Sequence, residues 1–180
     1  RQARSGSHRT TLARIAALAR PGGHVTNAEV KLRFETCALI GHFAQSRIAE
    51  SAAAVLAALV RRGVKVLVAA DEPGHFGAGV RAVPRPELAA AADFMIAVGG
   101  DGTLLEAARL VAGREVPLLG INRGRLGFLT DVLPQDVGAS VDAVLDGHCT
   151  SDARRLLQAR LHRAAGASAS LLALNDVVML

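Results

Sequence analysis

Residues 34–147 predict an α/β fold on a mostly parallel sheet, and residues 148–180 predict the start of an antiparallel, sandwich-like β region. Three observations carry this reading. From residue 34 onward, short apolar runs alternate with apolar positions at helical spacing. A glycine-rich box follows one of those runs and opens a helical pattern. Past Gly147, two apolar stretches succeed one another with no convincing helix between them.

Residues 1–33 stand apart. They hold seven Arg or Lys against one acid, Glu29, and Arg, Ser, Gly and His dominate them. A basic, unstructured extension is expected here, because the first convincing strand begins only after Arg33. The stretch around residues 11–20 could form an amphipathic helix of the transit-peptide kind, but it has no secretory apolar region.

The first strand is expected over residues 36–40, ending at Gly41. Residues 46–62 then place Ile48, Val55, Leu56, Leu59 and Val60 on a helical repeat that stops at Gly63, a residue suited to the left-handed turn after a helix. Residues 64–69 are β-branched and apolar and read as a second strand. A short helix over 87–92 leads into a third strand over 94–98. A helix over 103–111 and a fourth strand over 116–121 continue the alternation that favours parallel strands joined by helical crossovers. Residues 155–163 and 170–179 supply the antiparallel strands, with the second domain beginning at 148 and cut short at 180. No internal repeat is evident.

Composition narrows the function. Hydrophobic residues make up 51% of the chain, enough for a core, yet there is no Trp or Tyr and there are only five Phe. The core must be aliphatic, and platforms for stacking bases are scarce. The formal net charge of +5 comes from the extension, since residues 34–180 carry 14 basic and 15 acidic groups. A basic patch on a folded surface is the nucleic-acid signature, so no nucleic-acid partner is expected. Cys37 and Cys149 show neither CxxC nor zinc-ligand spacing and read as reduced thiols of a cytoplasmic protein. The longest apolar run, residues 52–60, lies between Glu50 and the Arg61-Arg62 pair and is far too short to span a bilayer. No membrane partner is expected.

The most informative chemistry is Gly99-Gly100-Asp101-Gly102-Thr103, placed between a predicted strand and a predicted helix. At the carboxyl end of a parallel strand, glycines let backbone approach a ligand closely, and the following helix offers unpaired N–H groups to phosphate oxygens. Asp101 is then a carboxylate aimed at the same crevice. There it could accept a proton from a substrate hydroxyl or help to organise a metal-bound nucleotide. The plainer alternative is that Asp101 caps the helix that follows. A second feature is Gly120-Ile121-Asn122-Arg123-Gly124-Arg125-Leu126-Gly127-Phe128-Leu129-Thr130-Asp131, a glycine-rich loop that also follows a strand; its plainer reading is an ordinary turn. A third is Leu174-Asn175-Asp176-Val177-Val178, a polar pair in an apolar strand. It suits either a turn or recognition of a base edge and a ribose diol.

Other patterns point away from different chemistries. Gly74-His75-Phe76-Gly77-Ala78-Gly79 has the wrong spacing for a dinucleotide fingerprint and opens no helix. The six His form no metal-ligand pattern, and there is neither a GxSxG elbow nor a Walker A box.

Taken in order and at these separations, GGDGT, GINRGRLGFLTD and LNDVV resemble the bacterial NAD kinase family, over residues 34–180; the Cys37-Ala38-Leu39-Ile40-Gly41 strand agrees. GGDGT alone is shared with lipid kinases of the diacylglycerol kinase type, and phosphofructokinases carry a related box. The long loop ending in GFLTD separates them. The resemblance implies a nucleotide-binding α/β domain, a C-terminal β domain, and NAD bound between them in a homo-oligomer. It implies transfer of the γ-phosphate of ATP, with Mg²⁺ or another divalent cation, to the 2′-hydroxyl of the adenosine ribose of NAD, giving NADP. Asp101 would be the catalytic proton acceptor, and Asp101 and Gly102 would touch NAD. Gly99, Gly100 and Thr103 would accommodate phosphates, and no side chain is assigned as a dedicated metal ligand. Asn175 and Asp176 match the family's Asn-Glu/Asp pair that holds the adenosine part, and Phe128 would pack against the nucleotide. Residues 1–180 by themselves are expected to be inactive. Two alternatives of other classes are a lipid kinase sharing the box and a non-catalytic nucleotide-binding module.

Overall fold

The computed structural model describes residues 13–19, 34–72, 76–114, 116–123, 132–162 and 168–174. The described elements are strands β1 (Ala13–Ala19) and β2 (Thr36–Gly41), helix α1 (Ser46–Arg61), and strands β3 (Lys65–Ala69) and β4 (Val80–Val83). Helix α2 (Leu88–Ala91), strand β5 (Phe94–Gly99), helix α3 (Asp101–Val111), strand β6 (Leu118–Asn122) and helix α4 (Val137–Leu145) follow. Strands β7 (Cys149–Arg155), β8 (Leu157–His162) and β9 (Ser168–Ala173) close the order.

Seven strands form one sheet in the order β4-β3-β2-β5-β6-β1-β7. Strands β2 to β6 are mutually parallel, with Gly41 beside Val98 and Gly99 beside Asn122. The chain runs outward from β2 through β3 to β4, then returns to β5 on the other side of β2, so the winding reverses between β2 and β5. Strand alternation divides the core into two layers. Cys37, Leu39, Phe94, Ile96, Val98, Leu119 and Ile121 face α1 and α4. Ala38, Ile40, Met95, Ala97 and Leu118 face α2 and α3. Helix α1 contributes Ile48, Val55 and Leu59 to the first layer, each worth about 1.5–3 kcal/mol of burial. Its exposed end is tied to α4 by Arg61 and Arg62, which pair with Asp142, and by a further Arg62–Asp146 pair.

The expected alternation of strands and helices is present, with shifts of one to two residues at most ends. The expectation of an unstructured extension over 1–33 is corrected at Ala13–Ala19. These residues form β1, pairing in parallel with β7 along its length and antiparallel with β6 at Ala16 and Leu118. ARIAALA has one charge in seven residues and can lie in a sheet; its basic surroundings masked that in the sequence. Cys149–Arg155 also departs from expectation. It joins the large sheet through β1, while among the described residues β8 and β9 make the separate antiparallel pair.

Candidate functional site

The site is best approached from the strand ends. Helix α1 leaves β2 toward one face of the sheet and α3 leaves β5 toward the other, so a crevice opens between the carboxyl ends of these two neighbours. Gly41 ends β2. A Cβ there would lie 2.8 Å from both Val98 O and Phe43 Cε1, so glycine is needed for the turn to pass this close to β5.

The glycine box lies across from it. Gly99 ends β5, and a Cβ on it would overlap Thr103 Oγ1 and lie 2.8 Å from Thr103 Cβ. Thr103 is buried, and its N–H donates to Gly100 O at 3.1 Å, as does that of Leu104 at 3.2 Å. Gly99 therefore serves the packing of strand on helix. Gly100 and Gly102 differ, because a Cβ on either would meet nothing within 4 Å. Gly100 also has φ −106°, a conformation open to any residue. Nothing in the described packing demands glycine at these two positions, whereas the close approach of a ligand would.

Asp101 is half-buried and is the first residue of α3, with Gly100 as the helix-capping residue. The helix thus starts two residues earlier than the sequence suggests, and Asp101 is not its cap. Its carboxylate stands in the first turn of an eleven-residue helix, where the macrodipole favours negative charge. The same turn presents backbone N–H groups at the crevice.

The glycine-rich loop is anchored here at both ends. Arg123 N–H donates to Gly99 O at 3.1 Å, Asn122 N–H to Val132 O at 2.8 Å, and Ile121 bridges Val132 in parallel. Residues 124–131, with Phe128, lie outside the described residues, as do Asn175 and Asp176. Of the expected site, the structure brings Gly99, Gly100, Asp101, Gly102 and Thr103 into one turn. Leu174, just before the Asn-Asp pair, packs against the core layer that contains α3.

Two neighbours of the box, and a charged cluster farther along α3, were not singled out by the sequence. Asn122 is buried beside Gly99. Arg123 carries a guanidinium toward Glu50 at 3.6 Å. Arg85 gathers Asp71 at 3.2 Å, Glu72 at 2.7 Å and Glu106 at 2.8 Å, tying the end of β3 to the middle of α3. Asn122 and Arg123 sat within a motif already noted. The Arg85 cluster joins residues from three separate segments and leaves no linear signal.

An open, mostly parallel sheet with a glycine box and helix start at its winding reversal defines a doubly wound class of α/β protein, in which ligands bind at such a reversal. Comparison with known families narrows the class: the ATP-NAD kinase N-terminal domain matches residues 37–149, and the chain belongs to the NAD kinase family. The NAD kinase of Methylococcus capsulatus is 44% identical over 147 residues, covering 82% of this chain and 51% of the relative. That of Teredinibacter turnerae is 43% identical, covering 81% and 50%. The chain spans about half the length of the curated relatives it matches. A crystal structure of yeast NADH kinase complexed with NADH has a similar fold, with TM-score 0.67 at 16% identity over 90% of this chain and 53% of that one.

Proposed function

We propose that the protein to which these residues belong is an NAD kinase, transferring the γ-phosphate of ATP to the 2′-hydroxyl of the adenosine ribose of NAD. The observation that carries the proposal is the Gly99–Thr103 turn at the crevice between β2 and β5, with Asp101 opening α3. In this reading the 2′-hydroxyl oxygen attacks the γ-phosphorus, the bond to the β–γ bridging oxygen breaks, and ADP leaves. Asp101 accepts the hydroxyl proton and returns it to solvent. Gly100 and Gly102 leave room for the substrate against the backbone, and the first turn of α3 offers N–H donors to phosphate oxygens. Asn175 and Asp176 hold the adenosine part and Phe128 packs on the nucleotide, as the family resemblance implies.

Mg²⁺ or another divalent cation accompanies the donor. Among the described residues there is no group of three or more His, Cys, Asp or Glu able to hold a metal. The Asp101 carboxylate in a phosphate-accepting turn fits a cation that arrives mainly on phosphates, with one or two protein carboxylates at most. Such a cation would neutralise charge on the transferring group. The domain division at 147/148, a homo-oligomeric state, a cytoplasmic location and a place in NADP biosynthesis belong to the same proposal. No described helix is long and apolar enough to cross a membrane.

The test is NADP formation from NAD and Mg-ATP by the complete purified protein, with diacylglycerol in vesicles as a parallel acceptor. NADP without phosphatidic acid is the expected result. Phosphatidic acid alone would establish the lipid-kinase reading, and NAD binding without turnover would establish a non-catalytic module.

A further inference from the structure

We propose that Arg123 binds a nucleotide phosphate, holding an oxyanion at the rim of the crevice on the α1 side. The identity of the ligand rests on the kinase reading above; the site itself rests on geometry. Arg123 directly follows β6, and its N–H bond to Gly99 O plants it beside the glycine box. Along β6, Leu119 and Ile121 face the α1 layer, and Arg123 comes next in that alternation. Its Nη2 lies 3.6 Å from Glu50 Oε2, and Glu50 belongs to the second turn of α1. The carboxylate facing the guanidinium among the described residues thus comes from the α1 face, whereas Asp101 opens the helix on the opposite face.

What marks this arginine is a buried donor with no partner among the described residues. Its side chain is only 17% exposed, while Glu50 is 74% exposed. A separation of 3.6 Å is too long for a good hydrogen bond, and a carboxylate that far into water contributes little. The Nε is buried and has no hydrogen-bond partner among the described residues. A guanidinium carries five donors in a rigid fork, and burying one of them unmet, as at Nε, is costly. A phosphate answers the deficit, because two of its oxygens match the fork and its charge exceeds that of one distant carboxylate. Glu50 is the charged group facing Arg123 in the described structure, and in this arrangement it competes with the phosphate for the guanidinium.

The competition gives the test opposite signs. Equilibrium binding of inorganic tripolyphosphate would be measured on the complete protein and on its Arg123→Gln, Arg123→Lys and Glu50→Gln variants. KM would be measured separately for ATP and NAD. Arg123→Gln should weaken tripolyphosphate roughly ten- to a hundredfold. Arg123→Lys should recover part of that loss, and Glu50→Gln should tighten binding by a few fold, about what removing an exposed competitor releases. A raised KM for ATP assigns the site to the donor; a raised KM for NAD assigns it to the dinucleotide pyrophosphate.

If Arg123→Gln and Glu50→Gln instead lose melting temperature in parallel with tripolyphosphate affinity unchanged, the pair is a structural tie and the proposal is overturned. Should Arg123→Gln fail to fold, Glu50→Gln decides alone: unchanged or weaker binding sinks the proposal. A wild-type protein that binds tripolyphosphate in an Arg123-dependent manner but forms no NADP would refute the kinase reading and leave the phosphate site standing.

Discussion

Adding one methyl group at Gly99 and one at Gly102 should have opposite effects on stability, although both glycines belong to the same five-residue box. At Gly99 the new Cβ would overlap Thr103 Oγ1 and lie 2.8 Å from Thr103 Cβ, closer than real side chains pack. Thr103 is buried at the start of α3 and has little room to withdraw. Gly99→Ala should therefore cost about 1–3 kcal/mol as overpacking. At Gly102 nothing lies within 4 Å, and the residue is already helical. Replacing a helical glycine by alanine gains up to about 1 kcal/mol by removing freedom from the unfolded chain. For a protein of this size that raises the melting temperature by roughly 1–4 °C. In the proposed site the same methyl would enter the space a nucleotide needs, and displacing a reactant by about 1 Å can cost on the order of a hundredfold in rate. Calorimetry and initial-rate NADP formation on both variants would check this. A Gly102→Ala protein that is more stable and fully active would refute the idea that its glycine exists for a ligand.

Other consequences follow from particular contacts. The Arg62 guanidinium holds the Asp146 carboxyl below the usual carboxylate range. A carboxylate lowered in the folded state stabilises it above the unfolded value of about 4, and that contribution is lost as pH falls through the folded value. Asp146→Asn should thus be destabilised relative to wild type at pH 7 but not at pH 2–3, as pH-dependent urea melts would show; a constant difference would contradict the sign. Replacing Arg85 by Ala strips the partner from Glu72, whose side chain is 6% exposed. The loss should be about 1–3 kcal/mol, and its reversal by a second Glu72→Gln change would separate charge from packing. Burial pushes the thiols of Cys37 and Cys149 up, and Cys37 is fully buried in β2 while Cys149 is half-exposed. Maleimide should label Cys149 first and Cys37 only on unfolding; equal rates in the native protein would contradict that placement.

The parts of the fold legible in the sequence are those whose apolar pattern is strong. Ile48, Val55 and Leu59 set α1, and the continuous run 94–98 marks a strand buried on both faces. Strand β4 was hidden because it has four residues, of which Arg81 and Ala82 are exposed. Strand β7, CTSDARR, has no apolar alternation to read, since its place comes from backbone pairing with β1. Helix α4 left a usable trace: Val137, Val141 and Val144 are buried at helical spacing behind Pro134, and Gly138 obscured the pattern. At the site, the box was legible because glycines beside a carboxylate between strand and helix are locally encoded. Glu50 and Arg123 meet only in the fold, 73 residues apart in sequence, so their pairing left no signal although Arg123 lies in a noted motif.

In the proposed reaction Asp101 takes the proton from the ribose hydroxyl of NAD. The most direct test of that step is NADP formation by the complete protein and by Asp101→Asn, which keeps the shape of the side chain and removes the base. Turnover should fall by roughly 10² to 10⁴ while NAD affinity changes far less. An Asn variant that forms NADP at a near-normal rate would contradict the claim.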